Sequence, residues 1–140
     1  MAMGDELDRS DRLKHLDYLQ SAIGRMSSIS SITRGWAITV AAGLSALAAA
    51  DSRIAALTIA ITSTVLFWGL DGYYLWLERG FIKIFQTVSQ SAGPVTFSMQ
   101  IDKAKGARTW LRTCMRPHLL VFYGSIVVID GVGIVYLKGV

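Results

Sequence analysis

Apolar positions fall into three long runs, parted by one short and one long polar stretch. The first run, WAITVAAGLSALAAA at 36–50, has no polar face. At 1.5 Å per residue it covers about 22 Å, short of the roughly 30 Å hydrocarbon core of a bilayer. Extension back toward Ser30, with Arg34 snorkelling at the edge, completes a crossing set at 32–50. The second run, 54–77, is long enough to span with some tilt. The polar triplet DSR at 51–53 between them predicts a turn, so the two runs form a helical hairpin. The third run, LLVFYGSIVVIDGVGIVYL at 119–137, is interrupted only by Asp130. Its Asp-Gly pair also matches a β-hairpin turn. Both flanks are apolar at every position, so neither strand face would be polar, and a third membrane helix is the prediction.

The segments outside these runs carry a different pattern. Over 5–31, Leu16, Leu19, Ile23 and Met26 step by 3, 4 and 3, with Leu13 and Ile29 widening the stripe, which predicts an amphipathic helix. Its charges balance: Arg9, Arg12, Lys14 and Arg25, with Arg34, face Asp5, Glu6, Asp8, Asp11 and Asp17. A membrane-surface helix is more basic than this. The stripe suits packing on another helix, of the same chain or of a second subunit. After 77, the residues Phe81, Ile82, Ile84, Phe85 and Val88 carry the second helix out of the membrane, and SAGPV at 91–95 breaks it. TFSMQID at 96–102 alternates weakly, as a short extended piece would. ARTWLRTCMRP at 107–117 reads as a basic interfacial helix, which Pro117 ends or after which it opens the next helix.

Composition agrees with a membrane protein. Of 140 residues, 52% are hydrophobic and 17% charged, against roughly 25% charged in soluble domains. The predicted fold is an all-α membrane protein of one domain, 1–140. Segment 78–118 holds seven basic residues and two acidic ones. That surplus places it, and with it the N-terminal helix, on the cytoplasmic side of an inner membrane. The turn at 51–53 and the C-terminus then lie outside. The first 30 residues hold no apolar core of a cleavable signal peptide, so insertion is assigned to the internal spans. The single cysteine, Cys114, forms no intrachain disulfide.

Two acids stand inside apolar runs. Counted outward from Ser52, Arg34 lies as far before the turn as Leu70 lies after it, which brings Asp71 within reach of Arg34. Charges at membrane depth pair or face water, so an Arg34–Asp71 ion pair clamping the inner end of the hairpin is expected. Tyr73, Tyr74 and Trp76, with Trp36, fit an interfacial aromatic belt at that level. Asp130 has no basic residue at matching depth in the spans. Protonation, hydrogen bonding to Ser or Thr, proximity to Arg53, and a place on an aqueous ion path remain open for it. In a symmetric oligomer it would form an acidic ring, with Gly124, Gly131 and Gly133 allowing close packing around the axis.

The basic set Lys103, Lys105, Arg108, Arg112 and Arg116 meets anionic headgroups, or an anionic ligand or partner protein. Nucleic acid is not expected, because Trp110 is the only stacking platform beside it. No catalytic, cofactor-binding or metal-binding residue is assigned: His15 and His118 sit in different segments with no ligand spacing to Cys114, and no serine stands in a nucleophile elbow. Three readings of Cys114 stay open: a thiol pKa lowered by Arg112 and Arg116, palmitoylation at a juxtamembrane site, and an inert thiol.

The run LDGYYLWLERGFIKIF after a helical hairpin resembles the small membrane effectors of bacterial antiphage defence, among them the two-span SLATT-like families. The likeness covers 30–85 and the general architecture; a third span departs from the two-span pattern. It implies an oligomer that perturbs the inner membrane when a cytoplasmic partner signals. The expectation is therefore a homo-oligomeric pore-forming or membrane-perturbing protein without enzymatic activity. The alternative is a membrane anchor that holds a soluble cytoplasmic partner.

Overall fold

The computed structural model of the chain describes residues 2–51, 54–90 and 106–139, with side chains from residue 9 onward. These residues are all-helical: α1 is Ala2–Asp51, α2 Ile54–Gln90, α3 Gly106–Cys114 and α4 Pro117–Gly139. Three of the helices are long and apolar enough to cross a membrane, within Arg9–Asp51, Ile54–Gln90 and Pro117–Gly139. The expected break at 91–95, the extended piece at 96–102 and the residues Lys103 and Lys105 lie outside the described residues.

α1 differs from the expectation of two segments, 5–31 and 32–50, since it is one helix of 50 residues. The hydroxyl-rich join does not interrupt it, because several of its hydroxyls return their hydrogen to the helix. Ser31 donates to the Ser27 carbonyl at 3.2 Å, Thr33 to Ile29 at 2.8 Å, and Thr39 to Gly35 at 3.0 Å. One inward seam runs along its described side chains: His15, Leu19, Ser30, Thr33, Ala37, Ala41 and Ala48 are buried. Their separations of 3, 4, 7 and 11 all return to the same helix face. At the N-terminal end the seam centres on His15 and Leu19, while Leu13 stays 57% exposed.

α1 packs along α2, which also carries α3 and most of the contacts of α4. The buried positions of α2 are mostly small, Ala56, Ala60 and Gly72 with Leu57, Thr64 and Asp71. Small residues let helix backbones approach closely without a water-driven hydrophobic force. Two core clusters result. Ala37, Leu119 and Tyr123 pack with Phe67, Trp68, Leu75 and Phe122. Nearer the hairpin tip, Ala48, Ala56 and Leu57 pack with Ile134 and Leu137.

α4 is helical throughout, including the Asp130–Gly131 pair. In lipid a helix satisfies every backbone group internally, which an isolated hairpin does not. It buries only one stripe, Leu119, Tyr123 and Asp130, while Val121, Val128, Ile129, Val132 and Val135 point outward. Such a surface suits hydrocarbon. α3 joins α4 through Met115 and Arg116. The Arg116 carbonyl accepts the Leu119 and Leu120 N–H groups, both at 3.0 Å. Pro117 therefore opens α4, where its missing N–H costs nothing.

Candidate functional site: two buried acids

Asp71 is fully buried. The hairpin brings Arg34 across to it, with Nε 2.7 Å from Oδ2 and the second nitrogen, Nη2, 3.5 Å from Oδ1. One helical turn before Arg34, Ser30 donates its hydroxyl to Asp71 Oδ1. The same Ser30 oxygen accepts from Arg34 Nη2 at 3.3 Å. From α4, the Tyr123 hydroxyl donates to Oδ2 at 3.2 Å. Every group around this carboxylate is a donor, so its charge is fully met and α1, α2 and α4 are tied at one level. A buried carboxylate left without such partners would be costly.

α3 is fastened to α2 at the same level. Trp68 Nε1 donates to the Cys114 carbonyl at 2.9 Å, and Trp110 Nε1 to the Gly69 carbonyl at 3.3 Å. The Trp110 ring lies over Gly69, where an added Cβ would stand 3.9 Å from it. Gly72 faces Cys114 so closely that a Cβ there would overlap the sulfur. Cys114 is buried. Burial pushes its thiol pKa up, a backbone hydrogen bond opposes this, and the Asp71 carboxylate adds to the rise. Of the readings open for Cys114 this runs against the activated thiol: Arg112 and Arg116 are exposed and do not compensate the burial. Arg108 is also exposed, so the described part of the basic set faces away from the helical core. Further along α2, burial and then nearby Arg116 pull the Arg79 pKa down, against Glu78.

Asp130 lies deeper. It is 2% exposed and turned inward onto α1, where Asp130 Oδ1 and Ser45 Oγ are 2.6 Å apart. Ser45 Oγ is also 2.8 Å from the Ala41 carbonyl oxygen. Asp130 Oδ2 is buried with no hydrogen-bond partner. Next to it on α4, Gly133 is the point of close approach: a Cβ there would stand 3.1 Å from a Leu57 methyl. Gly124 and Gly131 meet nothing within 4 Å. Of the three glycines expected to line a packing axis, one therefore serves contacts inside the chain and two face open space.

Among the described residues, no three metal-binding side chains cluster. Four participants escaped the reading of the sequence: Ser30, Ser45, Tyr123 and the Gly72–Cys114 contact. Ser30 carried a signal, since it precedes Arg34 by one helical turn and so points the same way. Tyr123 carried none, because the placement of α4 against the hairpin is not encoded in a turn count. No protein-family model, curated protein or solved structure matches this chain.

Proposed function

We propose that the protein is a homo-oligomeric membrane effector that passes ions across a bacterial inner membrane, with Asp130 on the ion path. The observation that carries this reading is the buried Asp130 carboxyl at mid-span, one oxygen held by Ser45 and the other unpartnered. Carboxyl groups are expensive at that depth and mark ion or proton pathways when they occur. The path would follow the seam between α1 and α4, where contacts are sparser than between α1 and α2. The Arg34–Asp71 knot is the fixed scaffold. The basic surplus of 78–118 supports a cytoplasmic location for that segment and the N-terminus. Arg108, Arg112 and Arg116, with Lys103 and Lys105, then face anionic headgroups or a cytoplasmic partner. The resemblance to antiphage effectors supports release of the activity by such a partner.

Ion flux through liposomes containing wild type or Asp130→Ala tests the proposal. Wild type should conduct above protein-free vesicles and Asp130→Ala should fall to that background. Equal background flux from both removes the ion-path reading.

A second reading, a membrane anchor for a soluble partner, has its own support. α1 continues from Arg34 back to Ala2, roughly 48 Å at 1.5 Å per residue, which exceeds any need of the bilayer. α2 accompanies it past Asp71 to Gln90. Co-purification of a stoichiometric soluble protein from native membranes would favour the anchor; a clean homo-oligomer would favour the effector.

A further inference from the structure

Asp71 and Asp130 differ in how hydrogens are distributed around them. At Asp71, the Arg34 guanidinium, the Ser30 hydroxyl and the Tyr123 hydroxyl all have hydrogens to give. At Asp130 the accounting fails for a carboxylate. Ser45 Oγ is within hydrogen-bond distance of two acceptors, Asp130 Oδ1 at 2.6 Å and the Ala41 carbonyl at 2.8 Å. A serine hydroxyl carries one hydrogen. If Asp130 were ionised, one of these short contacts would join two lone pairs, and Oδ2 would be a buried charged acceptor with no donor. If Asp130 carries the proton, both contacts are satisfied: the carboxylic O–H donates to Ser45 Oγ, and the Ser45 O–H donates to the Ala41 carbonyl.

We propose that Asp130 is an exchangeable proton-binding site in the middle of the membrane, relayed through Ser45. This rests on the ion-path reading above and specifies the ion. The donor set argues against a metal cation. Hard cations require about six oxygen ligands, whereas among the described residues the hydrogen bonds here join one carboxyl, one hydroxyl and one carbonyl. On the described helices no charged residue stands at this level; Arg53, the basic residue considered for Asp130, lies outside the described residues. α1 has no ionisable residue between Arg34 and Asp51, and α2 has none between Ile54 and Asp71. On α4 the ionisable neighbours are Tyr123 and Tyr136, seven and six residues away. Ser45 is half-buried, so the carboxyl is one side chain from the protomer surface, and a proton has a short way in.

Infrared absorption of the full chain in lipid bilayers at pH 7 tests this. Wild type should show the C=O stretch of a protonated carboxyl, and the band should shift down in D₂O. The band should vanish in Asp130→Asn, survive in Asp71→Asn, and move to higher frequency in Ser45→Ala, where its acceptor is gone. The amide band of the same spectra reports whether each variant keeps its helices. Three results would each overturn the proposal: no protonated-carboxyl band lost in Asp130→Asn, a band unmoved by D₂O, or one unmoved in Ser45→Ala. The measurement does not depend on conduction. An exchanging Asp130 band with background flux would sink the ion-path reading and leave the proton site standing.

Discussion

At the scale of the residue, Asp71 and Asp130 are the same side chain in opposite surroundings, and the hydrogens of their neighbours make the difference. Asp71 is held by a cation and two hydroxyls. Removing one partner of a buried pair costs more than the pair contributes, because the other charge is stranded. The Arg34 side chain is 33% exposed, so water recovers part of that loss, and Asp71→Ala should destabilise the fold by about 3 kcal/mol, the low end for buried pairs. Tyr123→Phe removes one hydrogen bond and should cost about 1 kcal/mol. Denaturation in mixed detergent micelles measures both; equal losses would show that the ion pair contributes nothing beyond a single hydroxyl contact. Counting from the DSR turn leads to Arg34 because a helical hairpin has a fixed register, so one polar landmark locates the opposite residue. Ser45 opposite Asp130 had no such landmark, since α4 reaches the hairpin through a connection whose length sets no register.

At the scale of the element, the helices follow from the sequence more readily than their joins do. Long apolar runs bounded by DSR and by Pro117 place α2 and α4 almost completely. The continuity of α1 was hidden because its composition changes near Ser30 while its backbone does not. A shift from amphipathic to apolar pattern marks where the surroundings change from water to lipid, and a helix crosses that boundary unbroken. The seat of α3 was hidden for another reason: it depends on a missing side chain. Gly72→Ala would place a Cβ into the Cys114 sulfur, and overpacking of this kind costs about 1–3 kcal/mol. The relief is specific. With Cys114→Ala the nearest side-chain atom is the β carbon, 3.4 Å from the new Cβ, an ordinary contact. The double variant should therefore recover most of the stability lost in Gly72→Ala, a coupling that a double-mutant cycle reads directly. Additive losses would show that α3 does not seat on α2 through this contact.

At the scale of the whole molecule, the outward surface distinguishes lipid contact from self-association. Lipid is served equally well by any apolar side chain, and the outward valines of α4 meet that need. It gives no reason for Gly43 on α1 and Gly124 on α4 to face outward with nothing within 4 Å. A second protomer would give one, because close helix packing in membranes selects small residues at the contact. A Cβ at either position meets nothing within 4 Å and both positions are exposed, so Gly43→Leu and Gly124→Leu should leave the fold and its thermal stability intact. Against a neighbouring protomer the same side chains would hold the backbones apart. The wild-type particle in detergent should have a mass that is a multiple of the 15.3 kDa chain, and each variant should shift toward the single chain. Each 1.4 kcal/mol lost from the contact weakens association about tenfold, which light scattering over a dilution series detects. If both leucine variants keep the wild-type mass at every dilution, these faces meet lipid alone, and the subunit contacts of any oligomer lie elsewhere on the chain.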